Sequence, residues 1–300
     1  MHAVVIHEAG GREVLSYEET DRPEPADGEV LIRIHAASVN PVDWKTRRSA
    51  SADDLPMVLG KDMSGVVEAS RAAAFAEGDD VLGHAGTGSY AEYAASVAGV
   101  LVKKPAGFSY QQAAALPVAG LTAWQALFVH GGLQAGQTAL IAGAAGGVGH
   151  LAVQFARHAG ARTIATASGR NRDFVLGLGA DEFIDYTEED VGKVASGVDV
   201  AFDTVGGETA LTLLPAVREG GILVCIAAMP PEDAARERGV RTAIFSATPN
   251  PEQLARIAQL VAAGDVRVEL AEVLPLTEIR RAHELSEAGH VRGKIVLTVA

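Results

Sequence analysis

The chain has 300 residues, 48% of them hydrophobic, and a formal net charge of −13. That apolar content can fill the cores of two domains, whereas the acidic balance disfavours nucleic acid or an anionic membrane as a partner, since no basic cluster exceeds Arg47-Arg48 and the Ser168–Arg172 turn. No apolar run reaches the roughly 18–20 residues of a membrane span. Met1 leads straight into a strand-like segment with no leader pattern, and the single Cys225 has no internal disulfide partner, so a cytoplasmic, reducing setting is expected.

Residues 1–117 read mostly as β. Alternation in Val30–His35 and Gly65–Glu68 predicts short strands, separated by turns rich in Pro, Gly and Asp. From Tyr110 the chain becomes Ala-rich with helical spacing, interrupted at Pro117. From residue 138 to about 247 strand and helix patterns alternate, with strands expected at 138–143, 163–167, 182–185, 198–203, 221–227 and 242–246. Right-handed crossovers turn such an order into a parallel, doubly wound sheet. A helix over Pro251–Ala263, a strand over Leu270–Leu274, a helix over Thr277–Ala288 and a strand over Lys294–Val299 follow. The interruption at 228–240 reads either as a mobile loop or as a solvated surface helix. Cys225 falls within an apolar run and reads as a buried core residue.

The segment 138–168 carries the strongest functional signal. A β-prone run ends in Ala144-Ala145-Gly146-Gly147-Val148-Gly149, a helical pattern follows, and a second β-prone run closes the unit. The loop has A-x-G-x-x-G spacing in the strand–turn–helix setting of a dinucleotide site, where small residues let backbone amides at a helix start meet a pyrophosphate. NAD-selective sites place an acidic residue at the end of the second strand; here that position falls on Ser168 or Gly169, with Arg170 and Arg172 just beyond. A hydroxyl and guanidinium groups suit a 2′-phosphate, which a carboxylate would repel, so NADPH is expected rather than NADH.

Seven stretches, ASVNPVDWKTRR (37–48), GSYAEY (88–93), AAALPVAGLTAWQAL (113–127), GAAGGVG (143–149), LGADEFIDY (178–186), FDTVGGE (202–208) and GHVRGKIVL (289–297), resemble the zinc-free, zeta-crystallin-like NADPH:quinone oxidoreductases among the medium-chain dehydrogenases/reductases. The resemblance implies an α/β chain: a GroES-like β-barrel catalytic domain (1–117 and 265–300) plus a Rossmann doubly wound parallel sheet domain (118–264), with the active site in the cleft between them. It implies that Asn40 anchors the nicotinamide ribose or substrate, Thr122 contacts the carboxamide, and Gly146, Gly147 and Val148 supply pyrophosphate amides. Ser168 with Arg172 or Arg170 would bind the 2′-phosphate, Tyr186 would pack by the adenosine, Val205 and Ile226 would line the nicotinamide crevice, and Lys294 would reach towards the cofactor. The zinc enzymes of the same superfamily carry a Cys near the position of Asn40 and Gly-His-Glu where this chain has Gly60-Lys61-Asp62. The nine histidines show no metal spacing either, so no metal site is expected.

The expected activity is hydride transfer to quinones or α,β-unsaturated carbonyls, whose conjugation spreads the developing charge without a Lewis acid. Asn40, Asp43 and Tyr90 are the catalytic candidates; Tyr93 is a second donor candidate and Trp44 a wall residue. A zinc-free dehydrogenase, an enoyl-thioester reductase and a non-catalytic NADPH-binding sensor remain open readings. The β-prone run Arg241–Ala247 could form a sheet edge, and a homodimer is the default assembly.

Overall fold

The computed structural model describes residues 1–299 and resolves the chain into two compact units. The first comprises Met1–Leu121, Pro249–Gly264 and Val268–Ala300; the second comprises Thr122–Thr248 and Asp265–Arg267.

The first unit is built around the strand Glu29–Val39, whose residues are buried on both faces over most of its length. Such a strand needs partners on either side, and it pairs antiparallel with Asp62–Ser70, with Tyr93–Val97 and with Lys294–Thr298. Asp80–His84 and Leu101–Lys103 extend the sheet beyond Asp62–Ser70, and Leu270–Pro275 runs parallel to Lys294–Thr298 at the other side. A small antiparallel sheet of Ser16–Glu19, His2–Ile6 and Met57–Val58 is tied on by the bridge Ala3–Ala91. The core joins Val4, Ile6, Ile32, Ile34, Met63, Tyr90, Ile295 and Leu297. Two registers matter for function: Ser38 lies opposite Asp62, and Val39 opposite Ile295. They bring Asn40, Asp62 and Lys294 to one end of three adjacent strands.

The second unit is a six-stranded parallel sheet, in spatial order Glu182–Asp185, Arg162–Ala167, Thr138–Ala142, Val198–Asp203, Val217–Cys225 and Arg241–Ile244. Numbered along the chain this order is 3-2-1-4-5-6, the Rossmann arrangement, which reverses direction between Thr138–Ala142 and Val198–Asp203. The runs expected at 138–143 and 198–203 fold as the central strands Thr138–Ala142 and Val198–Asp203. Val217–Cys225 begins earlier and stops before Ile226, so Ile226 stands just past the strand end. Arg241–Ile244 has a neighbour on one side only, as expected for the edge. Of the two readings of 228–240, the helical one is found, as the short helix Glu232–Glu237.

Two features differ from expectation. The helix Pro251–Ala262, assigned from sequence to the Rossmann domain, belongs to the first unit: Ile257 packs against Gly120, and the helix lies on Leu101–Lys103. Its periodicity revealed an apolar face but could not say which sheet that face covers. The Ala-rich segment breaks into the helices Tyr110–Ala114 and Pro117–Trp124, and then widens to a π-turn over Gln125–His130. Pro117 opens the second helix, where its missing N–H costs nothing.

Candidate active site

In the second unit the loop after Thr138–Ala142 leads into the helix Gly149–His158. Two contacts make the loop depend on glycine. Gly143 has φ +68°, and a Cβ there would lie 2.4 Å from Thr204 Oγ1; a Cβ on Gly149 would lie 2.1 Å from the Gly143 carbonyl oxygen. A Cβ on Gly146 would meet that same oxygen at 3.3 Å. The Gly146 N–H is spent on Gly143 O at 2.9 Å, while the N–H groups of Gly147 and Val148 have no carbonyl partner among the described residues. No side chain caps this helix, so its positive end is open, as an anionic pyrophosphate requires. This cradle fits the dinucleotide that the spacing implies, and it stands at the switch point of the sheet.

Around it the expected residues fall at the carboxyl ends of neighbouring strands. Val205 is exposed beyond Asp203, whose buried Oδ1 turns the chain by accepting from the N–H groups of Val205 (2.8 Å) and Gly206 (3.0 Å). Ile226, just past the end of the next strand, donates its N–H to Asp203 O. Thr122 is buried in the helix Pro117–Trp124. Cys225 is also buried, and burial pushes its thiol up to about 12, as befits an inert core residue. Tyr186 is exposed at the end of Glu182–Asp185.

Ser168 ends Arg162–Ala167 and accepts from Asn171 Nδ2 at 3.1 Å; Arg170 and Arg172 are exposed on the same turn. The Arg172 guanidinium lies over the Phe183 ring, 5.4 Å from its centre. Sequence reasoning missed Asp185 here. It pairs in register with Ala167, and its carboxylate sits so close to Gly169 that a Cβ there would strike it. The Thr187 hydroxyl and N–H, at 2.6 and 3.0 Å, hold its pKa below the usual carboxylate range, with the Gly169 N–H and Arg172 assisting. A carboxylate therefore does stand beside the turn, supplied by the adjacent strand.

The first unit gathers Asn40, Asp43, Tyr90 and Lys294 into one buried polar cluster, and adds three residues that were not predicted: Ser38, Asp62 and His84. Asn40 precedes the helix Pro41–Ser49, and Asp43 reaches back to accept its backbone N–H at 2.7 Å. Asp43 also accepts the Tyr90 hydroxyl at 2.8 Å. Burial pushes the Asp43 carboxyl up to about 7 against the pull of those two donors. Tyr90 was expected, with Tyr93, among the candidate hydrogen-bond donors at the cleft. It is fully buried, its hydroxyl is committed to Asp43, and burial together with Asp43 raises its pKa well above the ordinary value. Tyr93 lies under the Arg22 guanidinium, 3.9 Å from its ring centre.

The Asn40 side chain is held from both sides. Its Nδ2 donates to Asp62 Oδ2 at 2.9 Å, and Lys294 Nζ donates to its Oδ1 at 2.5 Å and to Val39 O at 3.3 Å. Burial lowers the Lys294 pKa, opposed by Asp62 and Asp43. Asp62 further accepts from Ser38 Oγ at 3.0 Å and from the Val118 N–H at 3.0 Å, and His84 Nδ1 lies 3.5 Å from it. Lys294, expected to extend towards the cofactor, thus spends its ammonium on Asn40. Among the described residues no three His, Cys, Asp or Glu side chains are grouped as metal ligands.

Comparison with known proteins agrees with this architecture. Residues 26–106 match the alcohol dehydrogenase GroES-like domain, and residues 178–297 match the zinc-binding dehydrogenase domain model. The chain is similar to the chloroplast envelope quinone oxidoreductase homolog of Arabidopsis thaliana, at 34% identity over 99% of this chain and 98% of the relative. It is also similar to the NADPH-dependent alkenal/one oxidoreductase of the same plant, at 34% identity over 99% of this chain and 79% of the relative. The solved quinone oxidoreductase of Coxiella burnetii superposes with a TM-score of 0.94 at 36% identity, covering 100% of this chain and 99% of that one. With the polar cluster on a GroES-like sheet and the glycine cradle on a Rossmann sheet, the chain belongs to the quinone oxidoreductase branch of the medium-chain dehydrogenases/reductases.

Proposed function

We propose that this chain is an NADPH-dependent reductase of quinones or α,β-unsaturated carbonyls that works without zinc. The observation carrying this reading is the open helix start at Gly147–Val148, at the end of a loop whose close packing requires glycine at 143 and 149. When bound, NADPH supplies the hydride. The Gly146–Val148 segment takes the pyrophosphate. Ser168 with Arg170 or Arg172 takes the 2′-phosphate, Thr122 the carboxamide, Tyr186 flanks the adenosine, and Val205 and Ile226 line the ring. Asn40 orients the nicotinamide ribose or the acceptor. Asp43 acts through Asn40, whose backbone it fixes, and Tyr90 through Asp43.

Metal independence is supported by the chemistry of the cluster. Lys294 already donates to Asn40 Oδ1, and the Asp62 oxygens accept from the Asn40 amide and the Val118 N–H, so the oxygens a divalent cation would need here are engaged. A conjugated acceptor needs less stabilisation of developing charge than an isolated ketone, and positioning then does much of the work.

The test follows loss of NADPH absorbance with benzoquinone, phenanthrenequinone and methyl vinyl ketone, with and without a chelator. Turnover unaffected by chelation is expected; loss on chelation overturns the metal-free reading, and tight NADPH binding with no turnover overturns the enzyme. Arg172→Ala and Ser168→Asp are each expected to weaken NADPH binding about tenfold, the equivalent of one charge-assisted hydrogen bond, while hardly affecting NADH. Equal effects on the two cofactors would refute the 2′-phosphate assignment.

A further inference from the structure

An amide flanked by a cation and an anion has one preferred orientation. Asn40 stands in such a place: Lys294 Nζ donates to its Oδ1, and its Nδ2 donates to Asp62. Flipping the amide would turn its NH₂ onto the ammonium and its carbonyl onto the carboxylate, exchanging two attractions for two repulsions. The three side chains are screened little by water, with residue exposures of 2% for Asn40, 0% for Asp62 and 4% for Lys294. Asp62 is itself held by Ser38 Oγ and the Val118 N–H, and Lys294 by Val39 O, so neither partner can swing away without losing a second contact. The Asn40 backbone is fixed separately, through Asp43.

We infer that Lys294 and Asp62 form a positioning pair that holds the Asn40 amide in the one orientation used in hydride transfer, without either touching the cofactor or the acceptor. This rests on the reading that Asn40 meets one of those two molecules. The pair supplies preorganisation: the amide is turned before the ligand arrives, so ligand binding need not be spent on turning it.

A double-mutant cycle tests the pair. kcat and KM for NADPH and for a quinone are measured in Asn40→Ala, Lys294→Met and Asp62→Asn, and in each of the latter two combined with Asn40→Ala, with thermal melting recorded throughout. Lys294→Met is expected to lower kcat/KM about tenfold, one charge-assisted hydrogen bond's worth, and Asp62→Asn by a similar factor. Combined with Asn40→Ala, neither should lower it further, because there is no amide left to orient. Losses that multiply in the double variants mark a general structural role and overturn the inference. So does Lys294→Met retaining wild-type kcat/KM while Asn40→Ala is impaired. An unimpaired Asn40→Ala is a different failure: it removes Asn40 from the proposed reaction, and the positioning role goes with it. If Lys294→Met does not fold, Lys294→Leu, which likewise carries no N–H donor, takes its place in the cycle with the same expected and overturning results.

Discussion

Tyr90 has a titratable neighbour on each side, and burial moves the two in opposite directions. Its hydroxyl bonds Asp43, whose ordinary value of 3.8 is pushed up to about 7. Its ring edge meets His283, whose ordinary value of 6.5 is pushed down to about 4, by burial and then by the Arg47 guanidinium 2.8 Å away. Between those limits the native Asp43 keeps a proton that the unfolded chain releases, so its contribution to stability falls as pH rises. Native His283 declines a proton that the unfolded chain accepts, so its contribution rises with pH over a similar window. The two slopes largely offset each other. Asp43→Asn keeps the shape and removes the falling slope, so its melting temperature should climb between about pH 4 and 6.5 more steeply than that of the wild type. Parallel melting curves for variant and wild type would refute this. At this scale the sequence exposed part of the site. Asn40, Asp43, Tyr90 and Lys294 were all named from motifs, but Asp62 and Asp185 owe their places to strand registers, Ser38 opposite Asp62 and Ala167 opposite Asp185. Register between distant strands leaves little local trace in the residues.

The glycine loop separates packing from spacing. Its loop glycines look alike in sequence, yet the contacts differ: a Cβ at 149 would strike the Gly143 carbonyl at 2.1 Å, whereas one at 146 would sit 3.3 Å from it. Gly149→Ala must shift backbone and is expected to cost about 1–3 kcal/mol and to impair NADPH binding. Gly146→Ala needs a shift of only a few tenths of an ångström, so it should fold nearly as well as the wild type and show its defect in NADPH affinity. Thermal melting and fluorescence titration distinguish the two, and equal melting losses would contradict the contact geometry. The elements most legible in the sequence were those whose own pattern decides them. The Rossmann strands carry β-prone apolar residues bounded by turns, and Val198–Asp203 and Glu182–Asp185 fall where they were expected. The helix Pro251–Ala262 was read correctly as a helix and assigned to the wrong unit, because amphipathic spacing encodes a buried face but not its partner.

For the whole molecule, the open side of Arg241–Ile244 bears on assembly. The strand has backbone groups facing outward beyond its single neighbour, and Ile244 is partly exposed there. Unpaired edges of this kind attract a second strand unless charge discourages it. A dimer joined along this edge should sediment at twice the chain mass, and Thr242→Lys with Ile244→Lys should give the monomer. A wild-type chain sedimenting as a monomer would dismiss the edge as an interface. The charge of −13 implies that added salt, by screening repulsion between copies, favours such pairing.

The strand Lys294–Thr298 lies inside its sheet, between Leu270–Pro275 and Glu29–Val39, and it carries the ammonium that meets Asn40. During synthesis the parts of that contact therefore emerge some 254 positions apart. However early the nucleotide-binding half matures on the ribosome, the barrel must wait with a gap in its middle until position 294 clears the exit tunnel. Catalytic competence should thus arrive abruptly and late, as a single closing event.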